Sequence, residues 1–318
     1  MWLPLLAVLG LLLLYRWYRQ SQILENLTDK YVFITGCDSG FGNLLAKQLD
    51  RRGMKVLAAC LTQTGAENLK TETSSRLQTV NLDVLDSHSV NIAEEWVSQI
   101  VGEKGLWGLV NNAGVAGPTA PVGLLKKDDF LKPLNVNLLG LIDVTLTLLP
   151  LIRRARGRIV NVSSILGRMA LLPGGYTVSK YGVEAFSDTL RRELVDFGIK
   201  VSIIEPGAFA TEFVNVSLIR KDIEEKWNAL PEETKNSYGE PYVQKFIHIL
   251  DTGFSSLSSK TFKVTDCMEH ALISRWPWTR YSAGWDAKLW YIPLSYLPTF
   301  ISDFVAAMDS PKPAQRAK

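Results

Sequence analysis

Tyr176 and Lys180 stand four residues apart in the stretch Tyr176-Thr177-Val178-Ser179-Lys180. On a helix that spacing puts a phenol and an ammonium on one face, about one turn apart. A free tyrosine, with a pKa near 10, is a poor base at neutral pH. A neighbouring positive charge lowers the phenol pKa, so the pair can take a proton from an alcohol as hydride leaves the carbon. About 140 residues upstream lies Thr35-Gly36-Cys37-Asp38-Ser39-Gly40-Phe41-Gly42. Its glycines follow an apolar run and precede a helical one, where backbone N–H groups and the positive helix end can receive a pyrophosphate. The spacing G-x-x-x-G-x-G departs from the common G-x-G-x-x-G pattern, and alone it also fits an ordinary tight turn. Tyr176 and Lys180 alone could be a surface i,i+4 pair. Together and in this order, the two segments point to nicotinamide-dependent alcohol/ketone chemistry.

The elements that must position these residues read clearly. Apolar runs at 30–35, 55–60, 77–82, 108–112, 157–162 and 200–205 predict six strands. Helical patterns fall at 43–52, around Val90, Ala93, Trp96, Val97 and Ile100, and at 129–154 and 176–197. Gly53 is expected to close the first helix. Strands alternating with helices predict an α/β fold with a doubly wound parallel sheet, Rossmann-type, covered on both faces. Beyond residue 211 the periodicity weakens. Residues 217–263 read as charged helices with loops, and 285–308 are rich in Trp, Tyr, Leu, Ile and Pro. That last stretch suits a packed tail, a substrate lid or a second membrane contact. Pro293 and Pro298 argue against a spanning helix there.

The chain has 318 residues, 47% hydrophobic and 21% charged, with a net charge of +3. Lys and Arg are spread out, so no nucleic-acid partner is expected. Three cysteines (Cys37, Cys60, Cys267) and three histidines (His88, His248, His270) give neither a disulfide framework nor a metal-ligand spacing. Residues 1–15 are almost wholly apolar, and Arg16 and Arg19 come directly after them. With Trp17 and Tyr18 as interfacial aromatics, this predicts an uncleaved N-terminal membrane helix over 1–19. The two arginines favour a cytosolic side for the remainder of the chain. The predicted organisation is an anchor at 1–19, a connector at 20–29, a dinucleotide-binding catalytic core at 30–215, and substrate-wall helices with an aromatic C-terminal segment at 216–318, in the same domain. Glycosylation sequons begin at Asn26, Asn161 and Asn215. Asn161 falls in a predicted buried strand, and Asn215 matters only in a lumenal topology.

The glycine turn Thr35–Gly42, Asn111-Asn112-Ala113-Gly114, Asn137-Leu138-Leu139-Gly140, Ser163-Ser164, Tyr176-x-x-x-Lys180 and Pro206-Gly207 occur in the order seen in short-chain dehydrogenases/reductases. The resemblance covers about 30–215. The N-terminal anchor, the run from Asp29 to Gly42 and the run from Arg280 to Lys288 extend it to the membrane-bound retinol dehydrogenase and 3α/17β-hydroxysteroid dehydrogenase branch. It implies Tyr176 as base, Lys180 as its partner and a hydrogen-bond donor to the nicotinamide ribose, and Ser164 as the hydroxyl that orients the substrate oxygen. Ser163 remains open for that role, because the spacing of 12 from Ser164 to Tyr176 is one shorter than in many relatives. It implies that Asn137 holds a relay water, and that Thr35, Gly36, Ser39, Gly40, Phe41 and Gly42 cradle the cofactor. Asp83 and Val84 would contact the adenine, Asn111, Ala113 and Gly114 would lie beside the cofactor, and Pro206, Gly207 and Thr211 would meet the nicotinamide. NAD-preferring relatives carry an Asp at the end of the second strand, and NADP-preferring ones a cation nearby. Here Cys60, Leu61 and Ser39 supply neither, and the missing cation favours NAD over NADP. The expected reaction is interconversion of a lipophilic alcohol and its carbonyl, a retinoid or a 3α- or 17β-hydroxysteroid, at the endoplasmic reticulum membrane. A homodimer is expected from resemblance. The alternatives are an NADPH-dependent reductase and a non-catalytic dinucleotide- or lipid-binding protein.

Overall fold

A computed structural model describes residues 2–211 and 215–315. Met1, which opens the apolar run, lies outside the described residues. In chain order the regular elements are α1 (Trp2–Ser21), β1 (Tyr31–Thr35), α2 (Gly40–Arg51), β2 (Lys55–Cys60), α3 (Gln63–Thr71), β3 (Leu77–Asn81), α4 (Ser87–Val101) and β4 (Gly108–Asn111). Next come α5 (Lys127–Leu134), α6 (Leu141–Ala155), β5 (Arg158–Val162), α7 (Gly175–Glu193) and β6 (Lys200–Pro206). The C-terminal third holds α8 (Val216–Asn228), α9 (Glu232–Tyr238), α10 (Glu240–Ser255), α11 (Phe262–Ile273), β7 (Arg280–Ala283), α12 (Ile292–Ser295) and α13 (Thr299–Ala307).

The seven strands form one parallel sheet in the order β3-β2-β1-β4-β5-β6-β7. This is the expected doubly wound α/β architecture. The strands are apolar throughout because both faces are covered. Val32 and Ile34 pack into the core on one side and Phe33 into the core on the other. Strand order reverses between β1 and β4, where Val32 pairs with both Val56 and Gly108. A crevice opens at such a point, outside the carboxyl ends of the strands. Gly53, at φ +88°, comes after α2 as expected for a residue that ends a helix.

The helix expected over 129–154 exists, with an irregularity the sequence did not announce. Between α5 and α6, Asn135–Gly140 forms a π-helical turn. It begins just after Pro133, which lacks the N–H that regular α-helical bonding needs. The continuous helix Lys127–Ala155 is long and apolar enough to cross a membrane, but 56% of its most apolar window is buried in the fold. It is a core helix.

The C-terminal segment, expected from the sequence to form a substrate wall, contributes to the sheet and the core. β7 extends the sheet beside β6, and α11 packs on the α2 side of it. Helices α8 and α10 build a separate apolar cluster with Leu124, around Ile223, Val243 and Ile247. At the other end, α1 exposes Leu11, Leu12, Leu13, Leu14, Trp17 and Tyr18, each more than half accessible. Its base is tied to the body: Leu24 N–H donates to Ile273 O at 2.9 Å, and His270 Nε2 lies 3.1 Å from Gln20 O.

Candidate active site

The glycine turn links β1 to α2 at the crevice. Thr35 Oγ1 accepts from the N–H groups of Asn112 and Ala113, both at 3.0 Å, and so pins the ends of β1 and β4 together. A Cβ on Gly36 would lie 2.8 Å from Ala113 Cα, and one on Gly42 only 2.3 Å from Gly36 O. Those two positions have no room for a side chain. Gly40 differs: φ is +62°, and a Cβ there would meet nothing within 4 Å. The open space lies over the first turn of α2, whose leading N–H groups have no partner within the helix. Ser39, the residue before it, is extended and makes no side-chain cap. Phe41 packs edge-on against Phe209, with centroids 6.0 Å apart. A glycine cradle at a helix N-terminus suits the diphosphate of a dinucleotide.

The other predicted cofactor residues are not equally placed. Gly114 sits against Asn137, and Val84 against Gly140, where a Cβ would be 2.7 Å from Val84 O. Asp83 Oδ1 accepts from Leu85 N–H at 2.9 Å, shaping the turn after β3. The Asn111 amide turns inward and donates to Thr145 Oγ1 at 2.8 Å and Asn161 Oδ1 at 2.9 Å. It ties β4 to β5 and α6. Gly207 N–H donates to Ala283 O at 2.8 Å just past Pro206, and Asp286 Oδ2 accepts from Ala208 N–H at 2.7 Å. Thr211 is half-buried beside residues 212–214, which lie outside the described residues.

Tyr176 and Lys180 lie in the first two turns of α7, and Ser164 comes just after β5. The Ser164 hydroxyl hydrogen-bonds the Tyr176 phenol. Ser163 faces away: it donates to Lys180 O at 3.4 Å and serves Glu184. Of the two serines left open by spacing, Ser164 is therefore the one beside the phenol. Lys180 is 4% exposed, and its Nζ donates to Val162 O at 2.7 Å, 5.5 Å from the Tyr176 ring centre. Burial pushes the phenol up to about 12, with the Ser164 bond opposing it. Burial brings the Lys180 ammonium down to about 8, opposed by the Glu184 charge. In the protein alone, desolvation outweighs any help the ammonium gives the phenol.

Asn137 is fully buried in the π-helical turn. Its Oδ1 accepts from Val115 N–H at 2.7 Å, and its Nδ2 donates to Val115 O at 2.9 Å and Ser179 Oγ at 3.0 Å. Ser179 in turn donates to Tyr176 O at 2.6 Å. The side chain thus connects the loop after β4 to the helix that bears Tyr176.

Three features escape a motif reading. Asn112 Nδ2 donates to Thr35 O and Gly36 O, both at 3.0 Å, and fixes the glycine turn from beneath. Asp38, from the turn itself, reaches over the end of β2 and accepts from Leu61 N–H at 2.8 Å, Thr62 N–H at 2.9 Å and Thr62 Oγ1 at 2.7 Å. A carboxylate therefore does stand at the end of the second strand, contrary to the expectation that none does. Behind Lys180, Arg280 of β7 pairs with Glu184 at 3.0 Å and Asp188 at 2.9 Å and lies 3.4 Å from Glu205. Asn161 is fully buried, so the sequon there is out of reach. Among the described residues, no group of three or more His, Cys, Asp or Glu is placed to hold a metal ion.

The model of the short chain dehydrogenase family matches residues 30–221. Retinol dehydrogenase 16 of Homo sapiens is 57% identical over 315 residues, covering 99% of each chain. 17-beta-hydroxysteroid dehydrogenase type 6 of Homo sapiens is 56% identical over 315 residues, again 99% of each. Among solved structures, a short-chain dehydrogenase from Streptomyces avermitilis superposes with a TM-score of 0.67 at 24% identity, covering 81% of this chain and 89% of that one.

Proposed function

We propose that this chain, which belongs to the short-chain dehydrogenase/reductase family, is a membrane-anchored, NAD-preferring dehydrogenase of lipophilic alcohols, with retinol and 3α- or 17β-hydroxysteroids as substrates. It is an oxidoreductase of alcohols and carbonyls that uses a nicotinamide dinucleotide. The observation that carries the reading is the Ser164–Tyr176 hydrogen bond at the carboxyl end of β5, with Lys180 one turn behind. When bound over the glycine turn, the dinucleotide supplies the hydride acceptor and, as the oxidised form, a positive charge near the phenol.

The chain's own residues do the rest. Ser164 Oγ donates to the substrate oxygen and holds its charge as the proton leaves. Tyr176 Oη, ionised once its own proton has left to solvent, takes the hydroxyl proton, so the alcohol loses a hydride and a proton and becomes the carbonyl. Lys180 keeps a positive charge beneath the phenol and would hold the nicotinamide ribose. Asn137 holds the β4 loop and α7 in register. Asp38 supports NAD, because a carboxylate beyond β2 would repel a 2′-phosphate and could accept from ribose hydroxyls.

Retinoids and steroids partition into lipid, which suits an enzyme anchored through α1, on the cytosolic face of the endoplasmic reticulum. Exposed Trp290, Tyr296, Phe300 and Phe304 on and around α12 and α13 give the C-terminal segment an apolar surface for a second membrane contact. Two relatives named for retinol and for a 17β-hydroxysteroid support the substrate class.

Tyr176→Phe tests the reading. Turnover of retinol and of 3α- and 17β-hydroxysteroids should fall at least a hundredfold, while the Kd for NAD stays within about threefold. Retained turnover removes Tyr176 from its role. A preference of more than about tenfold for NADPH over NADH, about 1.4 kcal/mol, overturns the cofactor assignment.

A further inference from the structure

A groove of about 910 Å³ lies where the base of α1 meets the body of the protein, at the amino end of β6 and well away from the glycine turn. Five cations line it: Arg16 and Arg19 from α1, Arg191 and Arg192 from the end of α7, and Lys200 from the start of β6. Of these, Arg191 has an acidic partner, Asp188 at 3.2 Å, which it shares with Arg280. Among the described residues, no carboxylate forms an ion pair with the other four.

The floor is aromatic. Arg19 lies 4.2 Å from the Trp276 ring centre, Lys200 5.4 Å from the same ring, and Arg16 5.5 Å from that of Trp278. These three cations thus lie against ring faces, which orient a positive charge without neutralising it, and Lys200 Nζ also donates to Arg275 O at 3.0 Å. Lys200 carries a lowered pKa, from burial and then from the charges of Arg158 and Arg19. The groove holds more positive charge than its own residues balance. Its upper wall is Leu12 and Tyr15 of α1, the start of the helix's exposed apolar surface.

We propose that this groove binds one anionic phospholipid, with the headgroup phosphate and carboxylate among Arg19, Arg192 and Lys200 and the acyl chains along α1 at Leu12. The inference rests on α1 being the membrane anchor. An anchored α1 puts Arg16 and Arg19 at the interface, so the groove opens at headgroup depth. A ligand with an anionic head and apolar tails matches both walls, whereas a free anion matches only one. Each basic residue near an anionic leaflet contributes about 1 kcal/mol. A bound lipid would then set the body's orientation on the membrane surface.

The test uses the detergent-solubilised full chain and native mass spectrometry, with phosphatidylserine, phosphatidylcholine or inorganic phosphate added. The expected result is one phosphatidylserine bound at least tenfold tighter than phosphatidylcholine. In the double variant Arg192→Ser/Lys200→Ser it should weaken about thirtyfold, the fold-change for two cations at about 1 kcal/mol each. Thermal unfolding of the variant, matched to the parent, establishes that it is folded. Equal affinity for the two lipids, a loss below about threefold in the variant, or displacement of phosphatidylserine by millimolar phosphate each overturns the proposal. Flotation with phosphatidylcholine vesicles, with and without phosphatidylserine, reads the anchor separately. Flotation without headgroup preference removes only the groove's occupant. A chain that does not float removes the anchor and this inference with it.

Discussion

Replacing Asn137 by alanine should cost about 3 kcal/mol of stability. The side chain has no solvent exposure and makes three hydrogen bonds, two of them to the backbone of Val115. Alanine leaves the Val115 N–H and C=O without their partner and removes the bond to Ser179. Each loss is worth about 1 kcal/mol where water can partly replace it, and more where it cannot. Ser179 keeps its own bond to Tyr176 O, so the damage should centre on the loop after β4. At roughly 2 °C per kcal/mol for a chain of this size, the melting temperature should fall by about 6 °C.

Asn137→Asp separates hydrogen bonding from volume. One carboxylate oxygen can still accept from Val115 N–H, but the other faces Val115 O. A protonated acid can donate there; an ionised one cannot. Burial raises the folded-state pKa of such a carboxyl above its unfolded value. Its stabilisation is therefore present at low pH and lost as pH rises through the folded pKa. Thermal unfolding of the detergent-solubilised full chain, monitored by intrinsic fluorescence at pH 5 and pH 8, reads both effects. The alanine variant should sit below the parent by the same margin at both pH values, and the aspartate variant should fall further behind at pH 8. An alanine cost below about 1 kcal/mol, or an aspartate deficit that does not change with pH, refutes this account of the site.

Asp38→Asn keeps the shape but only one acceptor oxygen, so with Thr62 still served it loses the Leu61 N–H bond, a cost of about 1 kcal/mol that the fold should tolerate. It should lower the ratio of NADPH to NADH dissociation constants by about tenfold, and an unchanged ratio would show that Asp38 only holds the β2–α3 turn. Glu184 has its pKa raised to about 7 by burial and by Glu205, against Ser163 and Arg280. That is above its unfolded value, so its contribution is full below the ordinary carboxylate range and is lost as pH rises through about 7. Glu184→Gln should therefore gain on the parent in unfolding free energy between pH 5 and pH 8, by at most on the order of 3 kcal/mol; a constant offset would rule the titration out.

Six of the seven strands are legible because doubly covered strands must be continuous apolar runs, as in Val32-Phe33-Ile34 and Val56-Leu57-Ala58. β7 is not legible for the same reason turned around. Tyr281 and Ala283 are buried, but Arg280 and Ser282 alternate with them and turn to Glu184 and Glu205. Four residues with two polar ones carry no strand signal. The π-helical turn at Asn135–Gly140 hides inside one long apolar periodicity, with Pro133 as its sole local hint. α3 buries little besides Ala66 and Leu69, too few positions for a helical stripe. In the candidate site, spacing finds Tyr176 and Lys180 because four residues on a helix fix a shared face. Spacing misses Asp38 because its carboxylate acts at the end of a strand to which it does not belong. Looking for an acid at Cys60 or Leu61 finds none, although the tertiary fold delivers one from the neighbouring turn.

β7 also bears on the chemistry of α7. Lys180 and the phenol before it are both shifted towards neutrality by burial, to about 8 and about 12. What opposes this for Lys180 is the charge of Glu184, one turn further along the same helix. Glu184 is itself nearly buried and crowded by Glu205, and the Arg280 guanidinium is the charge that favours its ionised form. A chain of alternating charges thus runs from β7 through α7 to the catalytic pair. It makes the C-terminal strand part of the electrostatics of Lys180, although β7 touches neither the glycine turn nor the phenol. A short-chain dehydrogenase core cut after β6 would keep Tyr176, Lys180 and Ser164 in sequence. It would remove Arg280, the guanidinium that pairs with Glu184, while Glu205 kept its ion pair with Arg168. The charge of Glu184 would lose that support, and Lys180 part of what favours its ammonium.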